Sequence, residues 1–320
     1  GRDRGVVPGR ATMTVQRLES PPDPPYRDDT VELHDGRTVS FCEFGDPAGT
    51  AVLWFHGTPG ARRQIPPDAP AYAAEVGVRL VVPERGGVGR STADFDRTLL
   101  SWAEDVHQLV DQLDIDRFGL AGLSGGGPHV LAVAHQLRGR VTGGALLGSM
   151  VPMRGPDAPP SLPDLLPVAF AGVQRLRRPL GSVLSALFKR IQPDDVDRVF
   201  PLVMKILPDN DREVIESPGF RTMFVDDLYE GSREQFNAQM IDLAAITSDW
   251  GFSPREVTVP VRSWHGGSDM LVPVPHAEHL VDLLPDATIE VFEGDGHFAG
   301  YSRAPTVLDW LLEQAEVKVS

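Results

Sequence analysis

Gly122-Leu123-Ser124-Gly125-Gly126 fits the pattern G-x-S-x-G, in which a hydroxyl stands on a sharp turn between a strand and a helix. Glycines are needed on both sides because such a turn is strained and runs close to its neighbours. A glycine-rich turn with a solvent-facing serine would explain the spacing, but not the apolar run before it and the helical pattern after it. A serine hydroxyl is a poor nucleophile until a base takes its proton, and that base needs an acid to orient it. The chain has nine histidines. His107 and His135 lie in helix-period stretches, His129 on the helix after Ser124, His276 and His279 at the start of a late helix, and His34 in a hairpin. His56 and His265 end strands and can line a site, yet both precede the place where chain order puts a base. His297 stands in Gly294-Asp295-Gly296-His297-Phe298, a glycine-flanked loop just after the last strand. Asp269 likewise follows the preceding strand, in Trp264-His265-Gly266-Gly267-Ser268-Asp269. Ser124, Asp269 and His297, each in a loop after a strand, follow one known order of Ser, Asp/Glu and His for acyl transfer.

The tetrahedral intermediate of acyl transfer carries an oxyanion that must meet backbone N–H groups. Gly125, the residue after the nucleophile, supplies one. The loop His56-Gly57-Thr58-Pro59-Gly60 after another strand supplies the other, and because Pro59 has no N–H the expected donor is Thr58.

These residues need a sheet to bring them together. The stretch TVELHDGRTVSFCEFG, from Thr30 to Gly45, reads as two strands about an Asp35-Gly36 turn. Short apolar runs at 51–57, 78–84, 118–124 and 141–148 read as buried strands, and helix-period stretches at 69–76, 99–113 and 126–137 lie between them. That alternation predicts an α/β protein with a mostly parallel sheet covered by helices on both faces. From Ser149 to Glu256 the alternation stops in favour of helical patterns and prolines, and strands return at 259–266 and 288–294. Interruption and resumption predict a helical cap, residues 149–256, inserted into one core of residues 30–148 and 257–320. Residues 1–29, with Pro21, Pro22, Pro24 and Pro25, read as an extended arm.

Composition narrows the function. A formal charge of −15 repels phosphate backbones and anionic lipid, so nucleic acid and membrane surfaces are not expected partners. One cysteine, Cys42, makes neither an internal disulfide nor a metal cluster, and no H-E-x-x-H or nucleotide-binding glycine loop is present, so neither a catalytic metal nor a bound nucleotide is expected. No apolar run reaches the roughly 18 residues of a membrane span, and no secretory signal is visible in the first residues, so the expectation is a cytoplasmic chain.

Together the motifs HGTPG, GLSGGG, HGGSD and GDGHF resemble the α/β-hydrolase fold family, in its capped branch of epoxide-hydrolase and proline-iminopeptidase-like enzymes. The resemblance runs from about Thr30 to Glu316. The segment Pro83-Glu84-Arg85-Gly86-Gly87-Val88-Gly89-Arg90-Ser91 is similar to the family's D-R-x-G-x-G-x-S loop, with Glu84 for the usual aspartate. The resemblance implies a lid over the site and cofactor-free catalysis. Ser124, where epoxide hydrolases and haloalkane dehalogenases carry aspartate, points instead to a serine hydrolase acting on a small or medium carboxylic ester. Aminopeptidase, lactonase, thioesterase and perhydrolase chemistry, and a non-catalytic ligand receptor, stay open. An aminopeptidase would need acidic groups for the substrate amine, and Asp226, Asp227 and Glu230 cluster suitably. Leu165, Leu166, Phe170, Phe188, Phe200 and Met223 can be core or pocket wall, and the substrate-binding residues and oligomeric state are not legible.

Overall fold

The computed structural model describes residues 22–160, 209–232 and 237–317. Strand β1 (Arg27–Glu32) pairs antiparallel with β2 (Thr38–Gly45). Gly36 takes a φ of +82° in the turn between them, which only glycine adopts without strain. β1 begins three residues before Thr30, inside the expected arm, because Tyr26 N–H already donates to Glu43 O (3.0 Å) and Arg27 is in register with Glu43.

After the hairpin the chain alternates. β3 (Thr50–Phe55), α1 (Ala69–Val76), β4 (Val78–Pro83), α2 (Leu99–Gln112), β5 (Phe118–Leu123), α3 (Gly126–Gln136) and β6 (Val141–Leu147) follow in turn. Helices α4 (Asp209–Glu216), α5 (Pro218–Ser232) and α6 (Asn237–Thr247) come between β6 and β7 (Val261–Gly266). Then α7 (Val274–Leu283), β8 (Ala287–Phe292) and α8 (Ala304–Val317) complete the order. The eight strands form one sheet in the order β1-β2-β4-β3-β5-β6-β7-β8, parallel from β4 to β8.

Period-two alternation sends neighbouring residues of a strand to opposite faces. On β3, Leu53 and Phe55 join one apolar cluster with Trp102, Val106 and Leu109 of α2. Val52 and Trp54 join the other with Ala73 of α1 and Leu308 and Leu311 of α8. Both faces of the central strands are thus buried, which explains why β3 to β6 read as near-continuous apolar runs, whereas the edge strands β1 and β8 are partly exposed. From β3 the chain crosses to β4 on one side and returns to β5 on the other, and a reversal of this kind leaves a crevice at the carboxyl ends of the two adjoining strands. Thr58 follows β3 there, and Ser124 follows β5.

Candidate active site

Ser124 is one of two non-glycine residues at positive φ among the described residues, at +50°. Its strained backbone is held on every side. The Ser124 N–H donates to Leu147 O at the end of β6 (2.8 Å), and Ser124 O accepts from Gly127 N (3.0 Å) and Met150 N (3.1 Å). A Cβ on Gly122 would lie 2.7 Å from the backbone of Gly126, and one on Gly126 would lie 2.5 Å from Phe55 O. Only glycine therefore lets the turn close between β5 and α3 against β3.

Asp269 and His297 meet in the loops after β7 and β8. His297 Nδ1 lies 2.8 Å from Asp269 Oδ2, and both residues are buried. Asp269 Oδ1 accepts from the N–H groups of Leu271 (2.8 Å) and Val272 (2.9 Å), so the carboxylate cannot rotate away from the imidazole. Burial pushes the Asp269 carboxyl up, but the hydrogen bond and charge of His297 together with the Val272 N–H outweigh it, and the net direction is down. A carboxylate is therefore present to hold the Nδ1–H tautomer. His265 Nε2 lies 2.7 Å from Val272 O and 3.4 Å from Asp269 Oδ2, and burial lowers its basicity, so it stays a neutral brace behind the acid. Asp295, two residues before His297, pairs instead with Arg303 (2.6 Å).

The His297 ring rests on the end of β6, where a Cβ on Gly148 would lie 3.2 Å from Nδ1. Ser124 is anchored to the preceding residue, Leu147, so Ser124 and His297 converge on one strand end.

The two expected oxyanion donors are neighbours as well. A Cβ on Gly125 would lie 2.6 Å from Thr58 Oγ1 and 2.9 Å from Ile246 Cδ1 of α6. Among the described residues, neither the Thr58 N–H nor the Gly125 N–H donates to another protein group. His129 accounts for its own burial on α3, with Nδ1 at 2.8 Å from Gly125 O, and burial holds its pKa at about 3.

Several residues beside this crevice were not visible in the sequence pattern. Asp211 of α4 is buried, its Oδ1 accepts from Phe298 N–H (3.2 Å), and burial raises its pKa. Asp242 of α6 is buried against Arg85 and Arg97. A carboxylate in the apolar stretch MIDLAAI is a signal of a buried partner, but nothing local to Asp242 names that partner. Phe220 of α5 packs edge-on to Phe298 at 5.2 Å and to Tyr301 at 5.5 Å. Met223 is buried in the same cluster, while Leu165, Leu166, Phe170, Phe188 and Phe200 lie outside the described residues. Asp226 pairs with Arg63 (2.9 Å), and buried Asp227 accepts from the N–H groups of Ala61 (2.9 Å) and Arg63 (3.0 Å). The Glu230 side chain lies outside the described residues.

Among the described residues no cluster of His, Cys, Asp and Glu is arranged to hold a metal ion, and no helix is long and apolar enough to cross a membrane. A family model described as the alpha/beta hydrolase fold matches residues 50–180. A 2-hydroxy-6-oxo-6-phenylhexa-2,4-dienoate hydrolase of Burkholderia cepacia is 26% identical over 281 residues, covering 80% of this chain and 84% of its own. A proline iminopeptidase of Xanthomonas citri is 32% identical over 117 residues, 34% of this chain and 36% of its own. Among solved structures, the bromoperoxidase from Bacillus anthracis superposes with a TM-score of 0.67 at 19% identity, covering 91% of this chain and all of that one.

Proposed function

We propose that this chain, which belongs to the α/β-hydrolase fold family, is a serine hydrolase that cleaves small or medium carboxylic esters through an acyl-enzyme. The reading rests on one observation above the rest: Asp269 and His297 are 2.8 Å apart, and the His297 ring abuts the strand end that anchors Ser124. In this mechanism His297 Nε2 takes the proton from Ser124 Oγ as the oxygen attacks the ester carbonyl. The C–O π bond opens, and the oxyanion faces the N–H groups of Thr58 and Gly125. Asp269 stabilises the imidazolium that forms. Collapse breaks the bond to the alkoxide, which leaves with the proton from His297. A water molecule, deprotonated by the same imidazole, then attacks the acyl-enzyme and frees the acid and Ser124. No cofactor enters these steps. In this reading the inserted segment serves as a lid, of which α4 to α6 are described while 161–208 and 233–236 lie outside the described residues, and the partner is a small ester-like molecule.

An aminopeptidase needs free carboxylates for the substrate amine. Asp226 and Asp227 are engaged with Arg63 and with two backbone N–H groups, so these two candidates favour the ester reading.

Titration with a fluorophosphonate, locating the label by mass, followed by an acyl panel of rising length, tests the proposal. Label on Ser124, lost in Ser124→Ala together with most turnover, is the expected result. Label on another serine overturns it.

A further inference from the structure

Beneath the loop that carries Thr58 lies a buried ionic cluster for which the reaction scheme has no use. Arg85, from the loop after β4, donates through Nη1 to His56 O (2.8 Å) and through Nη2 to Gly57 O (2.8 Å) and Thr58 Oγ1 (3.3 Å). One guanidinium therefore holds three consecutive residues of the loop. Its planar fork suits it to that task, because five fixed donors reach several acceptors at once.

Asp242 holds the guanidinium in turn. Arg85 Nε lies 2.9 Å from Asp242 Oδ1 and 2.7 Å from Oδ2, and Arg97 donates to Oδ1 from the other side. The Thr58 hydroxyl donates to Asp242 Oδ2 at 2.9 Å. All three charged side chains have no solvent exposure. Two cations buried with one anion are costly unless the geometry is fixed, and a buried carboxylate facing two guanidiniums admits few alternative arrangements. Asp242 does not belong to the sheet. It sits on α6, between β6 and β7, one turn before Ile246, which covers Gly125. The carboxylate that completes the support of the loop thus arrives with the inserted helix.

We propose that Asp242 is a positioning residue of the reaction: through Arg85 and through the Thr58 hydroxyl it sets residues 56–58 so that the Thr58 N–H faces the oxyanion, and the oxyanion hole is complete only when α6 is seated. The inference rests on the serine-hydrolase reading above and deepens it. The inserted segment is then part of the catalytic apparatus as well as a cover. A loose oxyanion donor weakens transition-state binding while leaving ground-state binding alone, so the effect falls on kcat and spares KM.

The test compares wild type, Asp242→Asn and Thr58→Val. Asp242→Asn removes the charge that holds both arginines. Thr58→Val leaves the ion cluster intact and deletes only the hydroxyl that bonds to it, so it serves if Asp242→Asn does not fold. The readouts are kcat and KM on a p-nitrophenyl ester, the rate of fluorophosphonate labelling, and the affinity for a trifluoromethyl ketone, whose adduct with Ser124 carries an oxyanion. The expected result is a loss in kcat of about 10² for Asp242→Asn, the low end of the range seen when an oxyanion donor is removed, and a smaller loss of about tenfold for Thr58→Val, which displaces the donor without removing it. Ketone affinity should fall by a matching factor with KM little changed. A purely structural role would lower the melting temperature and leave kcat per folded molecule and ketone affinity intact, and that result in either folded variant overturns the inference. Failure of the underlying reading looks different: wild type itself would then show no label on Ser124 and no ester turnover.

Discussion

Asp269 and His297 are joined through Oδ2 and Nδ1 at 2.8 Å, while the other carboxylate oxygen is committed to the N–H groups of Leu271 and Val272. The carboxylate is therefore held in one orientation, hydrogen-bonded to the His297 ring with His265 Nε2 behind it at 3.4 Å. Asp295, nearer in sequence, is turned to Arg303.

That division makes the two acids separable by mutation. Asp269→Asn should lower kcat by about 10⁴, because an amide in that position favours the wrong tautomer of the imidazole. Asp295→Asn should stay within a few-fold of wild type. Steady-state kinetics on one ester settles the matter, and a large loss in Asp295→Asn alone would reassign the acid.

Gly125 admits no side chain. A methyl group there would press on Thr58 Oγ1 and Ile246 Cδ1, both within 3 Å of its ideal position. Gly125→Ala should therefore displace one or both oxyanion donors and reduce kcat by about 10² to 10³. Circular dichroism should show the fold retained, since the clash is confined to the crevice.

The Asp242 cluster predicts a pH signature in stability. Burial pushes this carboxyl up, but Arg85 and Arg97 outweigh it and hold its pKa well below the usual carboxylate range. A depressed folded-state pKa contributes stability that is present above the unfolded value of about 4 and is lost as pH falls below it. At pH 7, Asp242→Asn should cost about 3–5 kcal/mol, the scale for stranding buried partners of an ion pair. In urea unfolding the gap between wild type and variant should narrow below about pH 4. A gap independent of pH would show that the charge is not what stabilises the cluster.

Excising the inserted segment should unfold the chain rather than merely uncover the crevice. Replacing residues 149–256 with a Gly/Ser linker removes Asp242 from Arg85 and Arg97, and Asp227 from the N–H groups of Ala61 and Arg63. Two buried guanidiniums would be left unpaired. We expect no cooperative thermal transition in the excised chain, and a sharp melt near that of wild type would refute the expectation.

What the amino-acid sequence determined by itself is local. Apolar runs bounded by turn residues marked β3 to β6, because a strand buried on both faces is apolar along most of its length, while β7 and β8, which carry Arg262, Ser263, Thr288 and Glu290, were marked as the strands that resume after the interruption. The glycines about Ser124 marked a strained turn, because no other residue fits between β5, α3 and β3. Chain order and strand ends then led to Asp269, His297, Thr58 and Gly125. The beginning of β1 was missed by three residues, since the pairing of Arg27 with Glu43 lies across the hairpin and leaves no local pattern. Only the tertiary structure decided the rest: that Asp269 faces His297 while Asp295 faces Arg303, and that Asp242 lies under a loop 184 residues away at Thr58. The reason is physical. Periodicity and turn chemistry are written into neighbouring residues, whereas the partner of a buried charge is chosen by which surfaces meet when the helices close on the sheet.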